Sequence, residues 1–463
     1  MVEKVCAINN TRCMNGGRTM RFKRICVLLA ALLLLPVGAA SCGRQREKVE
    51  LRMMVYTERA SGSDPLLESI YAAVDDFNFG NTETVLKTEV YPDPQYLDKL
   101  NTLAASNQLP DLILFGPELE ARVQKFAKEG ALAELTPCLE ADSEWYSSFR
   151  EGAFVSSEYE GKIWSVPITF QANCIFYNTH LFERANIRAE EIRTWEDFLE
   201  ACEALKSAGI PPLLLDGDDN RVARFADYLL QRKAGIEPFE TMLDGSFDLA
   251  LEPYAEVGGM LNALMEQEYL PAYSGYSHEH YRKYGRDINF FEGEVAMMLG
   301  SLSSIGGFQR EDSAVKGLVG IMPFPQLEGG SGVQDVWFAQ AHSIAVSTDN
   351  ENQEAAVEWL KQMTAEEVQL DLAANLYRLP ATKVSLETAQ FNGKDELVQA
   401  DQLLSRPLHV LDFDRSYLGS ERETAYENAW RGALLGQDPA EMLEQLQEDA
   451  AAVADMPEHS LQN

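Results

Sequence analysis

"EGKIWSVPITFQANCIFYNTHLF", Glu160 to Phe182, is the stretch on which the reading of the chain turns. Its apolar residues on either side of Pro167 describe a buried strand, yet Gln171 and Asn173 stand in the middle of it. A buried amide left without a partner costs about 1–3 kcal/mol. Such a strand must therefore satisfy its amides against backbone groups or turn them toward something polar. An amide donates and accepts at once, which suits it to hydroxyl groups. Cys174, between them and the next apolar run, reads as a small packed side chain.

Working outward from this strand, strands and helices alternate. "EKVELRMMVYT" places Val49, Leu51, Met53 and Val55 on one face, the period of a strand. In "SDPLLESIYAAVDDFN", Asp64 can cap a helix, Pro65 suits its first turn, and Leu66, Ile70, Val74 and Phe77 share a face. A strand "TVLKTEVYP", a helix over 95–107, and the wholly apolar strand "DLILFG" follow, then a helix from Glu118 ending at Gly130. The pattern restarts after Tyr177. Thr194 and Asp197 have the spacing of a capping box, and Gly209 closes that helix. "PPLLLDG" and "HSIAVST" read as strands, and "NQEAAVEWLKQMTAEEVQLDLA" as helix. Alternation of this kind implies an α/β layer fold.

The chain of 463 residues suffices for two or three domains, and its formal net charge of −34 makes nucleic acid and anionic lipid headgroups unsuitable partners. Three cysteines, Cys138, Cys174 and Cys202, lie in the body of the chain, too few for a disulfide framework and without metal-type spacing. "MRFKRICVLLAALLLLPVGAASC", Met20 to Cys42, opens with Arg21, Lys23 and Arg24 and continues with an apolar run, 25–35, too short to span a bilayer. It resembles a bacterial lipoprotein signal over 20–41, with Met20 as the start and Cys42 acylated as the mature N-terminus. An ordinary secretory signal cut near the same place is the alternative.

Six segments occur in the order found in bacterial extracellular solute-binding proteins of the maltose-binding type, and the chain resembles that family. They are "LPDLILFG", "EGALAELTPCLE", "GKIWSVPITFQANCIFYNTHLF", "TWEDFLEACEALKSAGIPPL", "FFEGEVAMMLGS" and "RLPATKVS". The resemblance implies a two-lobed, periplasmic-binding-protein-like (type II) α/β fold whose strands cross between lobes along the floor of a cleft. It places the first lobe at 49–168 and 339–378, the second at 172–336 and 380–463, and crossings near Thr169–Gln171, Trp337–Phe338 and Leu379. It implies a non-enzymatic, monomeric binding subunit, extracytoplasmic and held to the membrane through Cys42, or periplasmic in a host with an outer membrane. Such a subunit captures a sugar and delivers it to an ABC permease without cofactor or metal.

Sugar sites combine aromatic faces with planar polar groups, and in open α/β sheets they lie at the carboxyl ends of strands. On that basis Tyr56, Phe115, Glu118, Gln171, Asn173, Asp216, Ser301 and Trp337 are the candidate ligand-binding residues, with Trp337 as the stacking platform. Where many relatives carry a tryptophan after the position of Ser301, this chain has Leu302. Asp216, Asp218 and Asn220 imitate the start of a calcium loop, with Asp227 at its last ligand position, but Arg221 stands where such a loop needs glycine. His278 and His280 lack a third ligand nearby. No nucleophile elbow, H-E-x-x-H helix or P-loop occurs. The alternatives are a binder or sensor for a non-sugar solute on the same fold, and a secreted hydrolase.

Overall fold

The computed structural model describes residues 48–57, 65–117, 119–215, 219–243, 250–270, 288–332, 336–405, 409–411, 418, 420–441, 443–444 and 447–448. Cys42, the leader, Glu118, Asp216 and the His278–His280 pair lie outside the described residues. Fourteen strands are present among those described: β1 (Val49–Thr57), β2 (Thr84–Pro92), β3 (Leu112–Phe115), β4 (Glu158–Tyr159), β5 (Lys162–Ile163), β6 (Ser165–Pro167) and β7 (Thr169–Asn178), then β8 (Leu213–Leu214), β9 (Met297–Ser301), β10 (Val319–Met322), β11 (Val336–Gln340), β12 (Ser343–Val346), β13 (Leu379–Pro380) and β14 (His409–Leu411).

Two large sheets organise them. The first has the order β2-β1-β3-β12-β6, with β1 parallel to both β2 and β3, and β12 antiparallel to β3 and β6. The second has the order β14-β11-β7-β9-β8, with β10 and β13 also paired to β7. All four residues of β3 are buried, as its unbroken apolar run requires of a strand covered on both faces. The helix Pro65–Gly80 lays Leu66, Ile70, Val74 and Phe77 into the core of the first sheet, on the face its spacing predicts.

Most elements form where the pattern places them. The helix Trp195–Ser207 carries a complete capping box, Thr194 accepting from the Asp197 amide and Asp197 from the Thr194 amide. It ends at Gly209 with φ +72°, a conformation open to glycine. The segment from Asn352 is not one helix but two, Gln353–Met363 and Glu366–Leu376. The break at Thr364 has a local cause. Its hydroxyl donates back to the Leu360 carbonyl and accepts from Trp145 Nε1, which turns the chain instead of continuing it.

The chain changes sheet between β6 and β7, at Ile168, and again between β11 and β12, at Ala341–His342. The second change falls beyond the Trp337–Phe338 position expected from sequence, and Ala339 and Gln340 still pair with Ala172 and Gln171. The physical reason is that Trp337 and Phe338 are each anchored in a core of the second sheet, on its opposite faces.

Buried side chains tie the changeover segments together. His342 N donates to Thr169 Oγ1 at 3.1 Å, and Ile168 N donates to the His342 carbonyl at 2.7 Å. Gln369 Nε2 donates to the Ile168 carbonyl and its Oε1 accepts from Ala381 N. Arg150 donates to the Pro380 carbonyl at 2.6 Å and to Asp401 at 2.8 Å, with its guanidinium over the Phe170 ring.

Candidate functional site

The alternation of β7 explains its odd composition. Phe170, Ala172, Cys174 and Phe176 point to one face and enter a single apolar cluster with Trp337, Ala339 and Leu379. Burial pushes the Cys174 thiol far above its ordinary pKa, consistent with a packed side chain. Gln171 and Asn173 therefore share the other face, with Ile175 and Tyr177 further along.

On that face the register assembles a polar row. Gln171 stands directly opposite Gln340 of β11, and Asn173 directly opposite Ser301 of β9. Ser301 Oγ donates to Gln171 Oε1 at 3.2 Å. Gln171 is only 5% exposed, and among the described residues its Nε2 makes no hydrogen bond. The Asn173 side chain likewise has none among them, while its backbone carbonyl accepts from Tyr228 OH at 2.6 Å. Gln340 Nε2 donates to the Pro117 carbonyl at 3.3 Å, so β11 touches the turn that follows β3 of the first sheet.

Tyr56, the penultimate residue of β1, lies beside that turn. A Cβ at Gly116 would come within 1.7 Å of the Tyr56 hydroxyl, so a larger residue there would displace the tyrosine tip. The sequence-derived candidates thus divide. Gln171, Asn173 and Ser301 are together, and Tyr56 lies over Gly116, next to the Pro117 carbonyl that Gln340 reaches. Glu118 and Asp216 fall outside the described residues. Phe115 and Trp337 are buried in cores, Phe115 fully and against Phe126, Trp337 at 4% exposure. Both faces of each strand are covered at these positions, β3 being buried throughout and β11 having Trp337 and Phe338 in cores on its two faces, so neither ring presents a free face.

Sequence reasoning missed Gln340 and three residues of the helix Asp219–Ala234. Tyr228 bridges β7 and β11 by also accepting from Phe338 N at 3.3 Å, and Arg224 lies over the Phe338 ring. Arg221 Nε donates to the Leu299 carbonyl of β9 at 3.0 Å. Their spacing, i, i+3 and i+7, was the available signal for a helix face. Asp227 is in that helix, fully buried, accepting from Tyr426 OH at 2.8 Å and paired with Arg224.

The sequence model of bacterial extracellular solute-binding proteins matches residues 63–370, well over half the chain. The chain belongs to that family. Among curated relatives, this solute-binding protein is 26% identical to the arabinooligosaccharide-binding protein of Bacillus subtilis (strain 168) over 321 residues, 67% of this chain and 69% of that one. Solved structures resemble it in fold. One, from work on xylan utilization by the thermophilic bacterium Caldanaerobius polysaccharolyticus, has a TM-score of 0.67 at 20% identity, covering 87% of this chain and all of the other. A chitin oligosaccharide binding protein has a TM-score of 0.64 at 22% identity, covering 88% and 99%. The fold of this solute-binding protein is the two-lobed α/β one, as the sequence implies.

Proposed function

We propose that this solute-binding protein captures a sugar or oligosaccharide outside the cytoplasm and hands it to an ABC permease after its lobes close. The single observation that carries the reading is Gln171, nearly buried, with an amide donor unused by the described residues and Ser301, Asn173 and Gln340 around it. A donor in that position is costly unless a ligand or water meets it. The names of the relatives favour a saccharide over another solute. The lobes are taken to follow the sheets, the first at 49–168 and from His342 to 378, the second at 169–341 and from 379 onward. Tyr56, Gln171, Asn173 and Ser301, with Glu118 and Asp216, are taken to contact the ligand, while Phe115 and Trp337 back the walls. Closure is a hinge motion about the segments where the chain changes sheet, and the ligand must favour the closed state to drive it. The protein acts as a monomer without catalysis, anchored through an acylated Cys42.

A thermal-shift screen against mono- and oligosaccharides, with chromatography of the recovered ligand, tests this. Binding to the native state raises the melting temperature. A stabilising saccharide recovered intact supports the proposal. Cleavage of the saccharide would make the protein a hydrolase, and stabilisation only by non-sugar solutes would move it to another substrate class.

A further inference from the structure

We propose that Tyr228 is a positioning residue for the ligand site, its hydroxyl standing in for a rung of the sheet and holding Asn173 in place. The inference rests on the saccharide-binding reading above. Ala339 pairs with Ala172 and Gln340 with Gln171, in antiparallel register. One more step of that register would set Phe338 against Asn173. The pairing stops short of it, and β10 takes up the same edge of β7, the one away from β9, only from Ile175. In the place of the missing pair stands Tyr228. Phe338 N donates to its hydroxyl at 3.3 Å, and the hydroxyl donates to the Asn173 carbonyl at 2.6 Å. A backbone donor of β11 and a backbone acceptor of β7 are thus joined through a side-chain oxygen, which sets the strands wider apart there than a direct bond would.

The Tyr228 ring is itself held on several sides. It is buried, stacked on Phe324 with centroids 4.9 Å apart, edge-on to Phe338 at 4.8 Å, and covered by the Arg232 guanidinium at 5.6 Å. Burial raises the pKa of its hydroxyl far above the ordinary value, so the proton that reaches Asn173 stays on the oxygen. Asn173 is fixed differently on its two edges. On one it ends the ladder with β9, opposite Ser301. On the other it is held by the hydroxyl of a helix residue. The place of its half-buried side chain, beside Gln171, therefore depends on the helix Asp219–Ala234 as well as on the sheet. Tyr228→Phe keeps the ring and removes the rung. The two strands then either close on one another or leave an amide and a carbonyl without partners, and in both cases Asn173 shifts.

A double-mutant cycle read by calorimetric titration decides this, with Tyr228→Phe, Asn173→Ala and the two combined. The probes are arabinobiose, xylobiose, maltose and chitobiose, and the cycle uses whichever binds the parent. Melting curves without ligand establish that each variant is folded. Tyr228→Phe alone should weaken binding about ten-fold, whereas in the Asn173→Ala background it should change affinity by less than about two-fold. A hydroxyl that merely stabilises the fold would lower affinity equally in both backgrounds or in neither, and either result overturns the role of Tyr228 while leaving saccharide binding intact. Should Tyr228→Phe not fold, or Asn173→Ala bind none of the probes, amide exchange in the parent supplies the test. Rung and ligand must favour each other, so a saturating saccharide should slow exchange at Phe338 N more than at the amides of β3, which report the stability of the whole fold. Equal slowing at the two places overturns the proposal. Failure of every saccharide, these and those of the thermal screen, to bind the parent removes the saccharide reading and this inference with it.

Discussion

Gln171 has its carbonyl oxygen engaged by Ser301 and its amide nitrogen turned to no described group. Trp337 presents the opposite case, a large side chain wholly engaged by apolar neighbours. The two should separate in mutants. Gln171→Ala should weaken binding of the saccharide found in the screen by about 1 kcal/mol or more while leaving the urea midpoint nearly unchanged. Trp337→Ala should destabilise the fold by about 3–5 kcal/mol through the cavity it leaves. Urea unfolding together with calorimetry measures both. If Trp337→Ala folds like the parent and loses only affinity, the ring is a ligand platform after all. The residue types at this site were legible in the sequence because uncharged amides in an apolar strand are costly without a purpose. That Phe115 and Trp337 are packed in cores was not, because what covers each face of a strand is settled by pairing and packing with segments far away in sequence.

At the scale of elements, the helix Trp195–Ser207 is the best test of local coding, since its capping box satisfies two amide groups at its start. Thr194→Ala should cost about 1 kcal/mol, read as a shift in chemical unfolding midpoint. The backbone amides of Thr194 and Arg193 hold the Asp197 carboxyl below its ordinary range. A carboxylate with a lowered folded-state pKa lends stability that is fully present above its ordinary value and is lost as pH falls through the lowered one. Asp197→Asn should therefore flatten that part of the acid unfolding profile, and an unchanged profile would mean the cap contributes nothing there. Helix starts such as this one were readable because cap and first turn are contiguous. The break at Thr364 was not, because the Trp145 indole that meets its hydroxyl comes from 219 residues away in sequence.

For the whole molecule, buried polar contacts pin the segments next to the changes of sheet. Arg150 and Asp401 form an ion pair with little exposure, 7% and 16% of the side chains, where the Pro380 carbonyl also accepts from Arg150. Removing one partner of such a pair strands the other charge. Asp401→Ala should destabilise the protein by about 3 kcal/mol in urea unfolding. Leaving stability untouched would show that water readily replaces the carboxylate.

The sequence by itself determined the family, the α/β layering, the helix starts and the strand in which polar residues interrupt an apolar run. These are written in contiguous residues, through period, caps and motif order. Only the tertiary structure decided where the chain changes sheet for the second time, which rings face a core, and that Gln340 stands beside Gln171. Those facts depend on pairing between residues far apart in the chain, here 169 positions for Gln171 and Gln340. A register shift of one residue would move every side chain of β11 to the other face. Local pattern cannot fix such a register; the fit of Trp337 and Phe338 into cores on the sheet's two faces can.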